Sequence, residues 1–589
     1  MAARRSKPGK PPVAVPANTS PPTAIPPRNE RVSIGVLLGV LALMFTPFVG
    51  RAFHMDDPLF LWAAKHIQTN PANPYDFFVN WYGVEQPMSR VMENPPLASY
   101  FLAVVGRVFG LGEVPVHLAF FVPALLGAFG MYLLGRRFCR DAVTAVAISA
   151  FTPVFFVSGL TVMSDVWTLV FWIFAMHLWL IGLDRDSHLA FGAAALLIVL
   201  AALTKYFGIA LIPLLFVYSA MRHGAKRRWL AWAALPVLLL AVFEGVAYQL
   251  YGRGFLFGAA QYATGTEVGF GRFTPSKLMA TFAFLGGCVA SVAFLAHRLW
   301  SRSQLAVAAA LAVATTIFVA ASDQLGSRSL PDTVGLRVLF GAQLGIWMAA
   351  GIGVLSLAIS DLRRERDAES WLLGLWLIGT LIFAGAVNWT VNGRTILPIV
   401  VPAGLLVVRR LEHRGAAGDA LRAPWLWPPL IAAAALSIAV GWADTRLANV
   451  IREGVTQITT ENSSVRRIWF EGHWGFQYYM EERGAKPLYL SRSIVDASST
   501  SPWALAPGDL IVIPGTNTNY TPIPKDWYTF RKFLYLPSSG WLATMNMMTG
   551  AGFYSDEFGA LPFAFGRVDP EQFMLLDVRQ PAPQPQSGR

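Results

Sequence analysis

Apolar runs near the length that spans hydrocarbon, about 20 residues each, recur along this chain and constrain its fold more than any other feature. They lie at about 34–50, 116–135, 141–158, 163–182, 189–203, 206–221, 229–250, 277–297, 304–322, 335–358, 371–391, 395–411 and 424–442. In hydrocarbon every backbone N–H and C=O must be satisfied within the segment, so runs of this kind fold as helices. The pattern predicts a polytopic α-helical membrane protein of about 13 transmembrane helices. Only 14% of residues are charged, against about a quarter in soluble proteins, which excludes a soluble enzyme of this length. The net charge of +12 sits in loops rather than in one patch, so nucleic acid is not an expected partner.

The basic residues also set the threading. Arg136, Arg137 and Arg140, then Arg185, Lys226 to Arg228, Arg298 with Arg302, Arg363, Arg364 and Arg366, and Arg409, Arg410 and Arg414 fall in alternate loops. By the positive-inside rule these loops are cytoplasmic, on the side of the basic N-terminus. Residues 1–31 are Pro-rich and basic, have no signal-peptide core, and read as a disordered cytoplasmic tail. A membrane domain follows over 32–442. Its first outer loop, 51–111, ends in a short apolar stretch, Leu97–Leu111, expected to lie in the interface. An odd number of spans places residues 443–579 on the outer side. There Arg467–Phe470, Pro487–Leu490 and Leu510–Ile513 read as strands and Trp474–Arg483 as a helix, a small α/β domain. Residues 580–589 form a Pro/Gln tail. Cys139 and Cys288 lie in or beside apolar runs, so no disulfide framework is expected in the soluble parts.

With that threading fixed by other charges, several ionisable residues collect on the outer side. Asp56, Asp57 and Glu93 lie in the first outer loop, Asp165 starts the fourth span, Lys205 sits in the turn Leu203-Thr204-Lys205-Tyr206, and Arg394 follows Asn392-Gly393. Each one alone reads equally well as a helix-end anchor whose head snorkels to water. Together, carboxylates beside Lys and Arg suit an anionic lipid headgroup and a proton-accepting base. Asp165 reads equally as a residue complementing its own helix N-terminus, and Glu93 as a helix cap before Pro95-Pro96. Phe77, Phe78, Trp81 and Tyr82 read either as an interfacial aromatic belt or as the wall of a sugar or lipid groove. Glu471-Gly472-His473-Trp474 reads as structural rather than as a metal site. No Gly-rich phosphate loop, HExxH or CxxC element is present.

These segments resemble the GT-C glycosyltransferases that use polyprenyl-phosphate sugars, the family of protein mannosyltransferases and lipid A aminoarabinose transferases. The resemblance is carried by His54-Met55-Asp56-Asp57-Pro58, Asn94-Pro95-Pro96-Leu97, Leu133-Leu134-Gly135-Arg136-Arg137, Ser164-Asp165, Leu203-Thr204-Lys205 and Asn392-Gly393-Arg394-Thr395-Ile396-Leu397-Pro398, over roughly 32–411. The second acid is Asp57 where the family has Glu, and Asn94 stands where a basic residue is usual, so that phosphate contact is either missing or supplied by Arg90 or Lys205. The resemblance implies inverting transfer of a sugar from a polyprenyl-phosphate donor to a hydroxyl of a lipid, glycan or protein acceptor. It implies Asp56 as base, with Asp57 orienting it, binding acceptor or helping to hold a divalent ion. Arg394 and then Lys205 are implied as donor-phosphate ligands, and Glu93 and Asp165 as acceptor or metal contacts. No cofactor is required by this reading, and metal dependence stays open. The short loops favour a bacterial inner membrane. The alternatives are a transporter or flippase for a lipid-linked or anionic substrate, and a non-catalytic scaffold. The lack of an internal repeat and the position of the charges at one surface weigh against transport.

Overall fold

The computed structural model describes residues 28–92, 94–224, 228–265, 274–326, 328–415, 423–489, 505–518, 520 and 522–579. Glu93 and the expected terminal tails, apart from residues 28–31, lie outside the described residues. Each of the apolar runs is helical over most of its length. In chain order the helices needed below are α1 (Arg28–Phe45), α2 (Asp57–Ile67), α3 (Leu97–Phe109), α4 (Glu113–Phe138), α5 (Asp165–Arg185), α6 (His188–Thr204), α7 (Leu211–His223), α8 (Trp229–Tyr251), α9 (Arg302–Ala320), α10 (Val334–Arg364), α11 (Ala368–Ile382), α12 (Val400–His413) and α13 (Trp427–Glu461).

Among the described residues, 9 helices are long and apolar enough to cross a membrane, and 10 if the pair Ala142–Ala150 and Pro153–Gly159, bent by 70°, is one span. This is a multi-pass membrane protein. The other expected spans are helical but shorter or interrupted. α6 has 17 residues, the run at 277–297 is broken into Pro275–Cys288 and two further short helices, and the run at 395–411 begins as separate short turns before α12. Pro398 accounts for the last break, since it has no N–H to give to a continuous helix. The expected interfacial helix is α3, which packs on α2 through Ala98, Leu102 and Ala103 while Val104, Val108 and Phe109 stay exposed.

The 21 residues of α5 span about 30 Å at 1.5 Å per residue, close to the thickness of bilayer hydrocarbon. Asp165 lies at one end. At the other, Asp184 pairs with Arg137 and, at 3.2 Å, with Arg222, which also reaches Glu369 at 2.7 Å. The basic loops therefore close one face of the bundle with their own acidic partners.

The last helix does not stop at Ala443. α13 runs for 35 residues, about 50 Å at the helical rise, so its C-terminal part projects beyond the bundle and carries the sheet unit. That unit contains β1 (Ile468–Phe470), the helix α14 (Trp474–Glu482), β2 (Lys486–Pro487), β3 (Leu510–Pro514), β4 (Tyr528–Leu536) and β5 (Glu571–Val578). Its five strands are ordered β2-β1-β3-β5-β4. β1 pairs in parallel with β2 and β3, and β5 is antiparallel to β3 and β4. The expected strand 487–490 is therefore shorter and earlier, with residue 490 outside the described residues. β4 and β5 were not expected. The burial of β4 shows why, since Phe530, Phe533 and Tyr535 on this edge strand are exposed and its alternation is blurred.

The segment between β4 and β5 returns to the helices. Leu542, Phe553, Leu561 and Phe563 are buried in the main helical core. A fully buried pair, Arg51 and Asp444, joins the first loop to α13, with Arg51 Nη2 donating to Asp444 Oδ2 at 2.7 Å. Thr544 and Tyr554 hydroxyls donate to the same carboxylate at 2.8 and 2.9 Å. Arg51 Nη1 also donates to the Leu160 carbonyl at 2.6 Å. Hydrogen bonds of this kind offset part of the cost of burying the charge pair.

Candidate active site

Asp56 precedes α2 and has Pro58 just inside the helix, where its fixed φ suits the first turn. The residue before it, Met55, has φ 47°, a left-handed conformation that a side chain adopts only when its surroundings hold it there. Asp57 supplies that hold. Its Oδ2 accepts from the His54 amide at 2.8 Å and its Oδ1 from the Val162 amide at 2.9 Å. Asp57 is fully buried, and burial pushes its carboxyl up to about 6 even with Arg51 nearby.

Asp165 is in the first turn of α5. Lys205 ends α6 in extended conformation and begins a 3-10 turn over Tyr206–Ala210. Gly208 makes that turn tight, since a Cβ there would lie 2.5 Å from the Ala201 carbonyl carbon. Arg394 lies in the short helix Gly393–Ile396, capped by Asn392, whose side chain accepts from the Thr395 amide at 2.9 Å.

Tertiary folding brings four of these groups together. Arg394 Nη1 donates to Asp56 Oδ2 at 2.6 Å and its Nε donates to Asp165 Oδ2 at 2.8 Å. Lys205 Nζ donates to Asp165 Oδ1 at 2.6 Å. The Asp56 side chain is 35% exposed and that of Asp165 2%. Asp165 is thus the buried counter-ion of both cations, and Asp56 is the acid that faces open space. All four line a cavity of about 600 Å³. Trp172, Phe207 and Phe383 line it from the helical bundle, Trp81 and Tyr82 from the first loop, and His473, Trp474, Tyr554 and Phe558 from the sheet unit and its returning segment.

Other expected positions lie elsewhere. Asp57 does not line this cavity, and its carboxylate is committed to two backbone amides. Asn94 lines the cavity, whereas Arg90 is exposed and does not. Phe77 packs on His66 with ring centroids 4.9 Å apart, and Phe78 is exposed.

The adjacent acids do not fit a chelated divalent ion, because Asp56 meets Arg394 while Asp57 faces backbone N–H groups. Among the described residues no group of three or more His, Cys, Asp or Glu is placed to hold a metal.

Reading the sequence missed the contribution of residues 553–558. The Gly393 amide donates to the Phe553 carbonyl at 2.7 Å, the Asp556 amide to the Val391 carbonyl at 2.8 Å, and the Val391 amide to Asp556 Oδ1 at 2.8 Å. Thr390 Oγ1 adds a bond to the same carboxylate oxygen at 2.7 Å. The strand-like stretch that delivers Arg394 is thus held by a segment more than 150 residues later in the chain. Nothing local marks Asp556 in the sequence. Arg51 did carry a signal, being a cation directly after the first apolar run on the side opposite the basic loops.

Several known proteins are similar. The chain is 15–16% identical to the Archaeoglobus fulgidus oligosaccharyltransferase in two solved forms. One is tethered to an acceptor peptide (16% identity, TM-score 0.43, 77% of this chain and 63% of that chain) and the other is in complex with Zn and sulfate (15%, 0.43, 77% and 62%). The chain therefore spans less than two thirds of that protein's length. It is also similar to ArnT from Cupriavidus metallidurans bound to undecaprenyl phosphate (14%, 0.43, 83% of this chain and 93% of that chain). No curated protein gives a significant match. Residues 93–248, which include Asp165 and Lys205, match the family described as dolichyl-phosphate-mannose-protein mannosyltransferase, and over this part of the chain the resemblance to membrane glycosyltransferases that use lipid-phosphate sugars is upheld.

Proposed function

We propose that the protein is an integral-membrane glycosyltransferase that moves a sugar from a polyprenyl-phosphate donor to an acceptor hydroxyl, with Asp56 as the base. The observation that carries this reading is Arg394 bridging Asp56 and Asp165 beside Lys205, at the wall of a cavity of about 600 Å³. Two cations and two carboxylates balance in the free site. A donor phosphate needs cations aimed at it, and the guanidinium has the fork to grip it. Phosphate on Arg394 competes with Asp56 for that guanidinium, so donor binding releases Asp56 to act as base.

In the reaction, the acceptor oxygen attacks the anomeric carbon as its proton passes to an Asp56 carboxylate oxygen. The bond between the anomeric carbon and the phosphate oxygen breaks, and polyprenyl monophosphate departs with the bonding electrons. Arg394 and Lys205 stabilise the charge gathering on that phosphate. Asp165 holds both cations in place, and Asp57 acts at one remove by fixing the loop that presents Asp56. Glu93 remains a proposed acceptor contact. Apolar walls from α5 and the turns at Phe207 and Phe383 suit the first isoprene units of the donor.

We also propose thirteen spans over 32–442 with a cytoplasmic N-terminus, the sheet unit on the extracytoplasmic side, and a bacterial inner membrane as the location. Helix α6 and the interrupted helices at 277–297 and 395–411 supply the spans beyond ten.

The test is sugar release from a panel of radiolabelled polyprenyl-phosphate sugars, with total membrane extract as acceptor, by wild type, Asp56→Asn and Arg394→Ala in nanodiscs. Turnover of one donor, falling about 10²–10⁴-fold in Asp56→Asn, is expected. Full activity in both variants overturns the site, and no turnover of any donor by wild type overturns the enzyme in favour of transport.

A further inference from the structure

The cavity wall opposite the helical bundle is built of aromatic rings from two units that are distant in sequence. Trp81 meets His473 with centroids 4.9 Å apart, His473 meets Trp474 at 4.7 Å, and Trp474 meets Phe558 at 5.9 Å. All four line the cavity together with Thr518, whose Oγ1 lies 3.3 Å from His473 Nε2. Trp474 has φ 65°, a left-handed conformation that is strained for a bulky residue.

Among the described residues, four that are not glycine have positive φ: Met55, Asp186, Arg366 and Trp474. Asp186 and Arg366 follow the C-termini of long helices, where a left-handed residue is ordinary. Met55 and Trp474 both line the cavity. Trp474 is held from the adjoining residue, because Gly475 packs so closely on the first loop that a Cβ would lie 2.2 Å from the Phe53 carbonyl oxygen. Helix α14 therefore seats directly on the turn before Asp56.

We infer that Trp81, His473, Trp474, Thr518 and Phe558 form the acceptor subsite, and that the acceptor is a saccharide whose ring lies on the Trp474 face with a hydroxyl directed to Asp56. This rests on the proposed glycosyl transfer. A pyranose presents a C–H face and a rim of hydroxyls. The negative face of an aromatic ring complements the first, and the polar atoms of His473 and Thr518 complement the second. The phosphate-facing cluster and the bundle's apolar wall occupy the rest of the cavity, so donor and acceptor approach Asp56 from different units of the protein.

Saturation-transfer NMR with a panel of methyl pyranosides on the full-length protein in nanodiscs reads binding without turnover. Binding is expected with wild type and to weaken about tenfold in Trp474→Gly, a variant that adopts the positive φ without backbone strain. Trp474→Phe, which keeps a ring, is expected to stay within about threefold. In transfer assays, Trp474→Gly raises the acceptor KM and leaves the donor KM unchanged. Pyranoside binding indifferent to Trp474→Gly, or binding of a Ser/Thr peptide in place of every pyranoside, overturns the subsite. Pyranoside binding by a protein that turns over no donor overturns the transfer reading and leaves the subsite intact. Donor turnover with an acceptor KM insensitive to Trp474 overturns the subsite alone.

Discussion

At the residue scale, Arg394 and Lys205 are unequal. Arg394 touches both carboxylates, while the Lys205 bond is to Asp165. Losing Arg394 removes the forked ligand and the restraint on Asp56; losing Lys205 removes one point charge. Steady-state kinetics should therefore show a larger rise in donor KM for Arg394→Ala than for Lys205→Ala, and the reverse order would mean the lysine carries the phosphate. Asp165→Asn leaves two cations facing one carboxylate, and breaking a buried pair in this way costs about 3–5 kcal/mol. A lowered thermal midpoint is expected for it, with full stability counting against Asp165 as their counter-ion.

Glu481 gives a pH prediction well away from the helical bundle. Burial raises its carboxyl to about 7, against the opposing hydrogen bond from Gln477 Nε2 at 2.8 Å. The folded state therefore keeps a proton that the unfolded chain releases near 4.5. Stability falls as pH rises from about 4.5 to about 7 and is level above that. Thermal melts across this range should flatten in Glu481→Gln, and an unchanged slope would assign the dependence to other groups.

At the scale of elements, the connection between β4 and β5 works as a brace. Asp556 and Phe553 fix the backbone of residues 390–393, so they position Arg394 without lining up with the donor themselves. Asp556→Ala removes the acceptor for the Val391 amide, worth about 1–3 kcal/mol when left buried and unpaired, while the Thr390 hydroxyl keeps its bond to Ser555 Oγ at 2.8 Å. The expected result is a raised donor KM with the pH profile of kcat retained, because Asp56, the proposed base, is untouched. A shifted pH profile would show that Asp556 acts on Asp56 instead. Strand β4 teaches a related lesson. Short edge strands with exposed aromatics give no clean alternation, so its pairing with β5 emerges only from the sheet.

At the scale of the molecule, the sheet unit is part of the helical protein rather than an appendage. Arg51, Asp444, Thr544 and Tyr554 form one buried knot between the first loop, α13 and the returning segment. Tyr479, on α14, donates to Glu113 at the start of α4 and accepts from the Phe53 amide at 2.8 Å. Arg51→Ala leaves Asp444 buried without its cation, a loss of about 3–5 kcal/mol. Helices and sheet should then melt together at a lower temperature; a separate early transition for the sheet alone would show that the units fold independently.

The sequence by itself determined the membrane class and the positions of the apolar helices, and it singled out Asp56, Asp165, Lys205 and Arg394, which the fold gathers at one cavity. Hydrocarbon length and the cost of placing charge beside lipid are local properties, and they leave marks at fixed places in the chain. The different duties of Asp56 and Asp57 were not legible, since adjacent acids look alike until one is seen to take two backbone amides. Nor were the bracing of Arg394 by Asp556, the Arg51–Asp444 pair, or the approach of Trp474 to the Asp56 loop. Those contacts join residues tens to hundreds of positions apart, and only packing of the helices against the sheet unit decides which of many possible partners each side chain meets.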